Sequence, residues 1–173
     1  TLRQTFTYDA LGQLTAFTNS AIYGADSGSF VYETNGNLLH KTIDGVTDTY
    51  GYTDTTWGDL LTFDGRNYIT YDAIGNPTRI YPDVDDLTYG YELTWEGRRL
   101  ISATKAQGTI SFTYNDEGIR TSKTNTSGVT TYYSLSGNRI LSETKGDEVF
   151  IYIYDTAGAP MGMQYRNSSY ADG

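Results

Sequence analysis

The sequence predicts an all-β chain, an array of about eight β-hairpin repeats forming a curved antiparallel sheet, and three observations predict it. An aromatic residue returns at Tyr8, Tyr32, Tyr52, Tyr71, Trp95, Tyr114, Tyr133 and Tyr154, with separations of 24, 20, 19, 24, 19, 19 and 21 residues. That period of about 21 lies in the range of repeat architectures. A glycine follows each anchor within a few positions, at Gly12, Gly36, Gly58, Gly75, Gly97, Gly118, Gly137 and Gly158. The residues leading into the anchor alternate, with Phe6, Phe30, Tyr50, Ile69, Leu93, Phe112, Thr131 and Tyr152 two places before it. Alternation of this kind is the mark of a strand with one packed face.

The run before the anchor is the first strand, and in later repeats its alternation extends back to Tyr91, Ile110, Val129 and Phe150. Asp9, Glu33, Thr53, Asp72, Glu96, Asn115, Ser134 or Asp155 follows the anchor. Short polar side chains there bond to backbone N–H groups two places on, and glycine supplies the positive φ that closes the turn. A second strand is marked by Leu14, Leu38 and Leu60 two places after glycine and by Leu100 and Ile140 three places after it. A lone hairpin is marginal in water, so each must lean on its neighbour. Eight hairpins make about sixteen strands, more than a flat open sheet tolerates.

Residues 1–173 read as a single array with no linker and no shift of composition. Hydrophobic residues are 38% and aromatic ones 14%, with 17 Tyr, so the packed face consists of amphipathic rings whose phenols need partners when buried. A net charge of −9 argues against nucleic acid, whose phosphates are met by Lys and Arg. The chain has no cysteine, so neither a disulfide framework nor thiol chemistry is available. No apolar run is long enough for a helical membrane span.

Tyr8-Asp9-Ala10-Leu11-Gly12-Gln13-Leu14, Tyr71-Asp72-Ala73-Ile74-Gly75-Asn76 and Tyr154-Asp155-Thr156-Ala157-Gly158 resemble the tyrosine-aspartate (YD) repeats of the Rhs family. The likeness covers nearly the entire chain. It is most specific from Phe112 to Tyr165, which is similar to the repeats just upstream of the Rhs core in proteins of Gram-positive bacteria. The resemblance implies a β-spiral wound into a hollow shell around a variable C-terminal, often toxin-like, polypeptide. It also implies secretion or a cell-surface location, with the rest of the parent protein and its enclosed domain as partners. Related repeats occur in surface adhesion proteins. The departures are a stretched gap from Tyr52 to Gly58, Trp95 in place of tyrosine, and no acid after Tyr133. The Asp-Pro self-cleavage site of the family is not matched either: Pro77, Pro82 and Pro160 follow Asn76, Tyr81 and Ala159. Cleavage and cargo therefore do not carry over. The chain reads as a piece of a larger protein, with Tyr170 expected to open a ninth repeat.

No constellation for catalysis, cofactor or metal stands out, and none is expected. His40, the only histidine, lies in a predicted strand without the ligand partners of a zinc site. Asp83, Asp85 and Asp86 lack the glycine and glutamate of a calcium loop and read as a solvated connection. Asp9, Asp72, Asn115 and Asp155 recur at equivalent places, whereas acid/base pairs need unlike environments. Asn125-Thr126-Ser127 and Asn167-Ser168-Ser169 fit a glycosylation triplet and are assigned no function. Trp57 and Trp95 could serve as stacking platforms, which makes a cell-surface adhesion or carbohydrate-binding module the alternative to a shell wall. In isolation, unpaired sheet edges are expected to self-associate.

If the anchors pack as rows, Tyr114→Ala costs about 3 kcal/mol in denaturant unfolding, and Thr113→Ala costs far less. A loss below about 0.5 kcal/mol would place the Tyr114 ring on the solvent face.

Overall fold

The computed structural model describes residues 3–20, 26–82 and 89–169. Fifteen strands and no α-helix occur among them. The chain divides into two compact units, Thr1–Leu87 and Thr88–Gly173. Asp83, Asp85, Asp86 and Tyr170 lie outside the described residues.

In the first unit β1 (Gln4–Tyr8), β2 (Leu14–Asn19), β3 (Ser27–Tyr32), β4 (Leu38–Ile43) and β5 (Val46–Thr49) form one antiparallel sheet in chain order. β6 (Tyr68–Tyr71) and β7 (Pro77–Tyr81) form a further hairpin. In the second unit β8 (Tyr91–Glu96), β9 (Arg99–Lys105), β10 (Gly108–Tyr114) and β11 (Arg120–Thr124) run in chain order. They are followed by β12 (Thr130–Ser136), β13 (Arg139–Lys145), β14 (Glu148–Tyr154) and β15 (Pro160–Arg166). Within β1–β5, within β6–β7 and within β8–β15 each strand pairs with its neighbours in the chain, the pattern a hairpin array requires, while β5 and β6 share no ladder.

Two kinds of turn join the strands. In the five-residue kind, Asp9–Gln13, Glu33–Asn37, Asp72–Asn76, Asn115–Ile119, Asn125–Val129 and Asp155–Ala159, the first amide donates to the last carbonyl over 2.8–3.0 Å. The glycine amide donates back to the first residue's carbonyl, and glycine takes φ between 78° and 95°. This is a type I turn closed by a left-handed residue. Asp9 Oδ1 accepts from the Leu11 and Gln13 amides at 2.9 Å, and Asp72 Oδ1 accepts from Ile74 and Asn76 in the same way. Glu33 has one methylene too many for this geometry, and Asn35 Oδ1 serves the Asn37 amide instead. The second kind has two loop residues, as in Gly97-Arg98 and Gly137-Asn138, where glycine leads with φ near 58°. That is the requirement of a type II′ hairpin.

The third repeat departs from the expected pattern. No strand forms around Tyr52 or Leu60, and Gly51, Phe63 and Tyr68 are joined by isolated bridges instead. An additional turn is the cause: Asp64 Oδ1 accepts from the Arg66 and Asn67 amides and consumes the residues a return strand would need. The turn at Asn125 has no aromatic anchor at all. The residue before it is Thr124, whose hydroxyl meets Thr130 at 2.9 Å.

No hydrophobic side chain is fully buried among the described residues, and Asn76 and Ser122 are the buried polar ones. Cross-strand threonine pairs take a share of the sheet surface, including Thr42–Thr47, Thr70–Thr78, Thr104–Thr109 and Thr113–Thr121 at 2.8–3.0 Å. Such pairs stabilise a sheet by a few tenths to about 1 kcal/mol each.

Because the Asp9 carboxylate oxygen acts as an acceptor for two amides, Asp9→Asn should leave stability within about 0.5 kcal/mol while Asp9→Ala costs about 1 kcal/mol. Chemical denaturation of both variants checks this, and equal losses would contradict the turn role.

Candidate functional site: the joints between hairpins

Within a hairpin the two strands pair up to the turn, but neighbouring hairpins pair over part of their length. β9 and β10 are in register from Lys105↔Gly108 to Ser102↔Ser111 and then part, although β10 continues to Tyr114. β13 and β14 part after Ser142↔Ile151, and β2 and β3 part after Ala16↔Ser29. The hairpins thus close at one rim and splay at the other, where the anchor sits.

The anchor tyrosine fills that gap. Tyr32 Oη donates to the Leu14 carbonyl at 2.9 Å, Tyr71 to Leu61 at 2.7 Å, Tyr114 to Leu100 at 2.8 Å and Tyr154 to Ile140 at 2.6 Å. Each phenol reaches back one repeat. Its acceptor is the main-chain oxygen of the apolar residue first or second in the preceding return strand, or of Leu61 in the irregular third repeat. Splaying takes that carbonyl out of reach of a strand partner, and an unpaired carbonyl costs about 1–3 kcal/mol. The ring covers apolar surface while the hydroxyl meets the carbonyl, a combination unavailable to phenylalanine. Tyr52 also meets the Leu38 backbone, through a hydrogen bond that favours its ionised form and so differs from the other four.

Register marks the anchor independently. A β-bulge falls between Thr7 and Tyr8, Val31 and Tyr32, Thr70 and Tyr71, Thr94 and Trp95, Thr113 and Tyr114, and Ile153 and Tyr154. In the seventh repeat the bulge falls between Ser134 and Leu135, so Leu135 stands at the anchor's place opposite Ile140. Tyr133 pairs with Glu143 two residues earlier, and the Arg120 guanidinium lies 5.4 Å from its ring and from that of Phe112. Tyr8, in the first strand, stays 60% exposed.

The turn glycines add a second contact between repeats. Gly75 lies where a Cβ would come within 3.6 Å of the Trp57 indole, and a Cβ on Gly158 would collide with the Arg139 guanidinium. Gly36 and Gly118 face Gln13 and Arg99 in the same sense, and Arg139 also sits 4.9 Å from the Tyr154 ring. Gly12, Gly58, Gly97 and Gly137 face open space and serve their turns. In the second unit the pairs Trp95 and Leu135, Arg99 and Arg139, Leu100 and Ile140, Tyr114 and Tyr154, and Gly118 and Gly158 all stand 40 residues apart. A short-turn hairpin that offers carbonyl and arginine alternates with a long-turn hairpin that supplies phenol and glycine.

Electrostatics follow the same geometry. Burial raises the Tyr71 phenol above its ordinary value of 10.0, and burial does the same at Tyr52. Since the folded value exceeds the unfolded one and the neutral phenol is the donor, this contribution is complete below pH 10 and is lost as pH rises through the raised value. Tyr152 is raised chiefly by its 2.8 Å hydrogen bond to Glu143. Burial opposes ionisation of Asp64, yet hydrogen bonds from Asn67 and Arg66 outweigh it and hold the carboxyl below the ordinary range. His40 is a β4 residue with Nδ1 3.3 Å from Thr49 Oγ1. Among the described residues no group of His, Asp and Glu is arranged to hold a metal ion.

No family profile matches the chain, and no curated protein matches it. Solved structures do. A complex of TcdB2-TccC3 without its hypervariable C-terminal region is similar at TM-score 0.57 and 16% identity, over 95% of this chain and 10% of that one. The TcdB2-TccC3-Cdc42 complex matches at TM-score 0.53 and 16% identity, with the same coverage. The Tc holotoxin pore of Photorhabdus luminescens matches at TM-score 0.50 and 16% identity, over 96% of this chain and 9% of that one. The chain therefore has the all-β fold of the Rhs, or YD-repeat, proteins and spans about a tenth of the length of the chains it matches.

Tyr154→Phe removes the donor and keeps the ring, so it should cost about 1 kcal/mol, whereas Tyr154→Ala should cost about 3 kcal/mol. Urea unfolding of both variants measures the difference, and a Phe variant as stable as the parent would show that the phenol–carbonyl bond contributes nothing.

Proposed function

We propose that this chain is structural, a stretch of wall in a YD-repeat shell that encloses a C-terminal, toxin-like polypeptide of its parent protein. The parent's remaining repeats and its enclosed domain are its partners, and in this reading the parent is secreted or displayed at the cell surface. The chain carries out no catalysis.

The observation that carries the proposal is the joint. Four phenols, each reaching back to the preceding repeat, join individually marginal hairpins into antiparallel arrays with no fully buried hydrophobic side chain among the described residues. Such an array is suited to walling off a volume. The rings of Tyr32, Tyr71, Tyr114 and Tyr154 are committed to the preceding repeat, which removes them as platforms for a ligand. Trp57, a candidate stacking platform, lies against the Gly75 turn.

The test is limited proteolysis of the full-length parent protein followed by detection of its C-terminal segment. Protection of that segment in the parent and its cleavage in a Tyr114→Ala/Tyr154→Ala double variant supports the proposal. Equal cleavage in both, with the repeats still folded by circular dichroism, overturns it.

A further inference from the structure

The first unit contains a place where the hairpin array is joined without a strand ladder, by isolated bridges and by the Tyr71 phenol on the Leu61 carbonyl. β5 ends at Thr49, and β6 begins at Tyr68 without joining it in a ladder. Between them the backbone is held by the Gly51–Phe63–Tyr68 bridges and by the Ile69 amide donating to the Thr62 carbonyl at 2.9 Å. Beside this contact lies a cleft of about 350 Å³, bordered by Thr53, Asp54, Thr62, the outer edge of β6 and Tyr81. That volume falls within the range of small-ligand sites.

Three features define what fits. The Ile69 amide points away from β7, so the alternation of an antiparallel pair turns the Ile69 carbonyl and the Tyr71 amide the same way. Neither has a backbone partner on that side among the described residues, and together they offer one acceptor and one donor two residues apart. The Tyr68 and Tyr81 rings, stacked at 5.9 Å, border the cleft as an apolar wall, and Phe63 packs on Tyr68 at 4.7 Å behind it. Asp54 supplies a negative charge. Its Oδ1 is occupied by the Thr56 and Trp57 amides, its Oδ2 is not, and no basic side chain borders the cleft.

We infer that this cleft is a docking site for an extended peptide carrying a lysine or arginine, which adds to β6 as a short strand. The guest's main chain pairs with Ile69 and Tyr71, its basic side chain meets Asp54, and an apolar residue rests on the tyrosine wall. Strand addition at an exposed sheet edge draws affinity from main-chain bonds and selectivity from side-chain pockets. The inference rests on the cleft alone and holds whether or not the parent encloses a polypeptide.

The experiment titrates the 173-residue chain with the blocked pentapeptide Thr-Val-Lys-Val-Thr while amide resonances are followed by NMR. Saturable shifts centred on Ile69 and Tyr71, with a Kd on the order of 100 µM, are expected. N-methylation of the central lysine amide, exchange of that lysine for glutamate, and the Asp54→Asn variant should each weaken binding about tenfold. Asn keeps the Oδ1 acceptor, so the Asp54 turn persists in that variant. No saturable shift up to about 5 mM, or equal affinity for the N-methylated peptide, overturns the proposal. So does a neutral disaccharide shifting the same amides when the peptide does not.

Discussion

A carbonyl without a strand partner is the constraint around which this fold is organised. Hairpins that close at one rim and diverge at the other leave a main-chain oxygen without a strand partner at four joints, and a half-buried polar group without a partner is costly. The tyrosine of the next repeat resolves the conflict because it brings a ring wide enough to occupy the gap and a hydroxyl long enough to reach the oxygen. The aspartate beside it works elsewhere. It caps the turn's own amides and keeps the backbone in the bulged geometry that aims the ring backward.

The consequence is a protein held together by joints rather than by a centre. No hydrophobic residue is fully buried among those described, so no set of large aliphatic side chains dominates stability. Half-buried rings, threonine pairs and turn hydrogen bonds share the burden along the chain, as expected when stability is a sum of repeats and nearest-neighbour interfaces. The arginine–glycine contacts extend the same logic. Arg139 lies beneath Gly158 and beside Tyr154, so one side chain supports both the turn and the ring of the following hairpin.

Much of this was legible in the sequence. The spacing of the aromatics indicated an array, and the acid-to-glycine pattern indicated turns whose hydrogen bonds the structure displays. The phenol's partner was not legible, because every residue has a carbonyl and nothing in Leu14 or Leu100 distinguishes theirs. Those residues drew notice as apolar strand markers, whereas their backbone is what the tyrosine reads. Leu135 was hidden by Tyr133, an aromatic two places earlier that draws the eye where a two-residue turn has shifted the register. The irregular third repeat had a signal in Asp64-Gly65, a turn former close behind Gly58. The 40-residue alternation in the second unit was also present in the spacing of Arg99 and Arg139. It was obscured because the shorter period of the aromatics runs through it.

Residue-resolved hydrogen exchange across the second unit tests the central claim most directly, comparing the parent chain with a Tyr114→Phe/Tyr154→Phe variant. The account predicts faster exchange confined to the splayed rim, around Leu100–Ser102 and Ile140–Ser142, with Lys105, Thr109 and Lys145 unchanged. Uniform acceleration along the strands, or none anywhere, would contradict it.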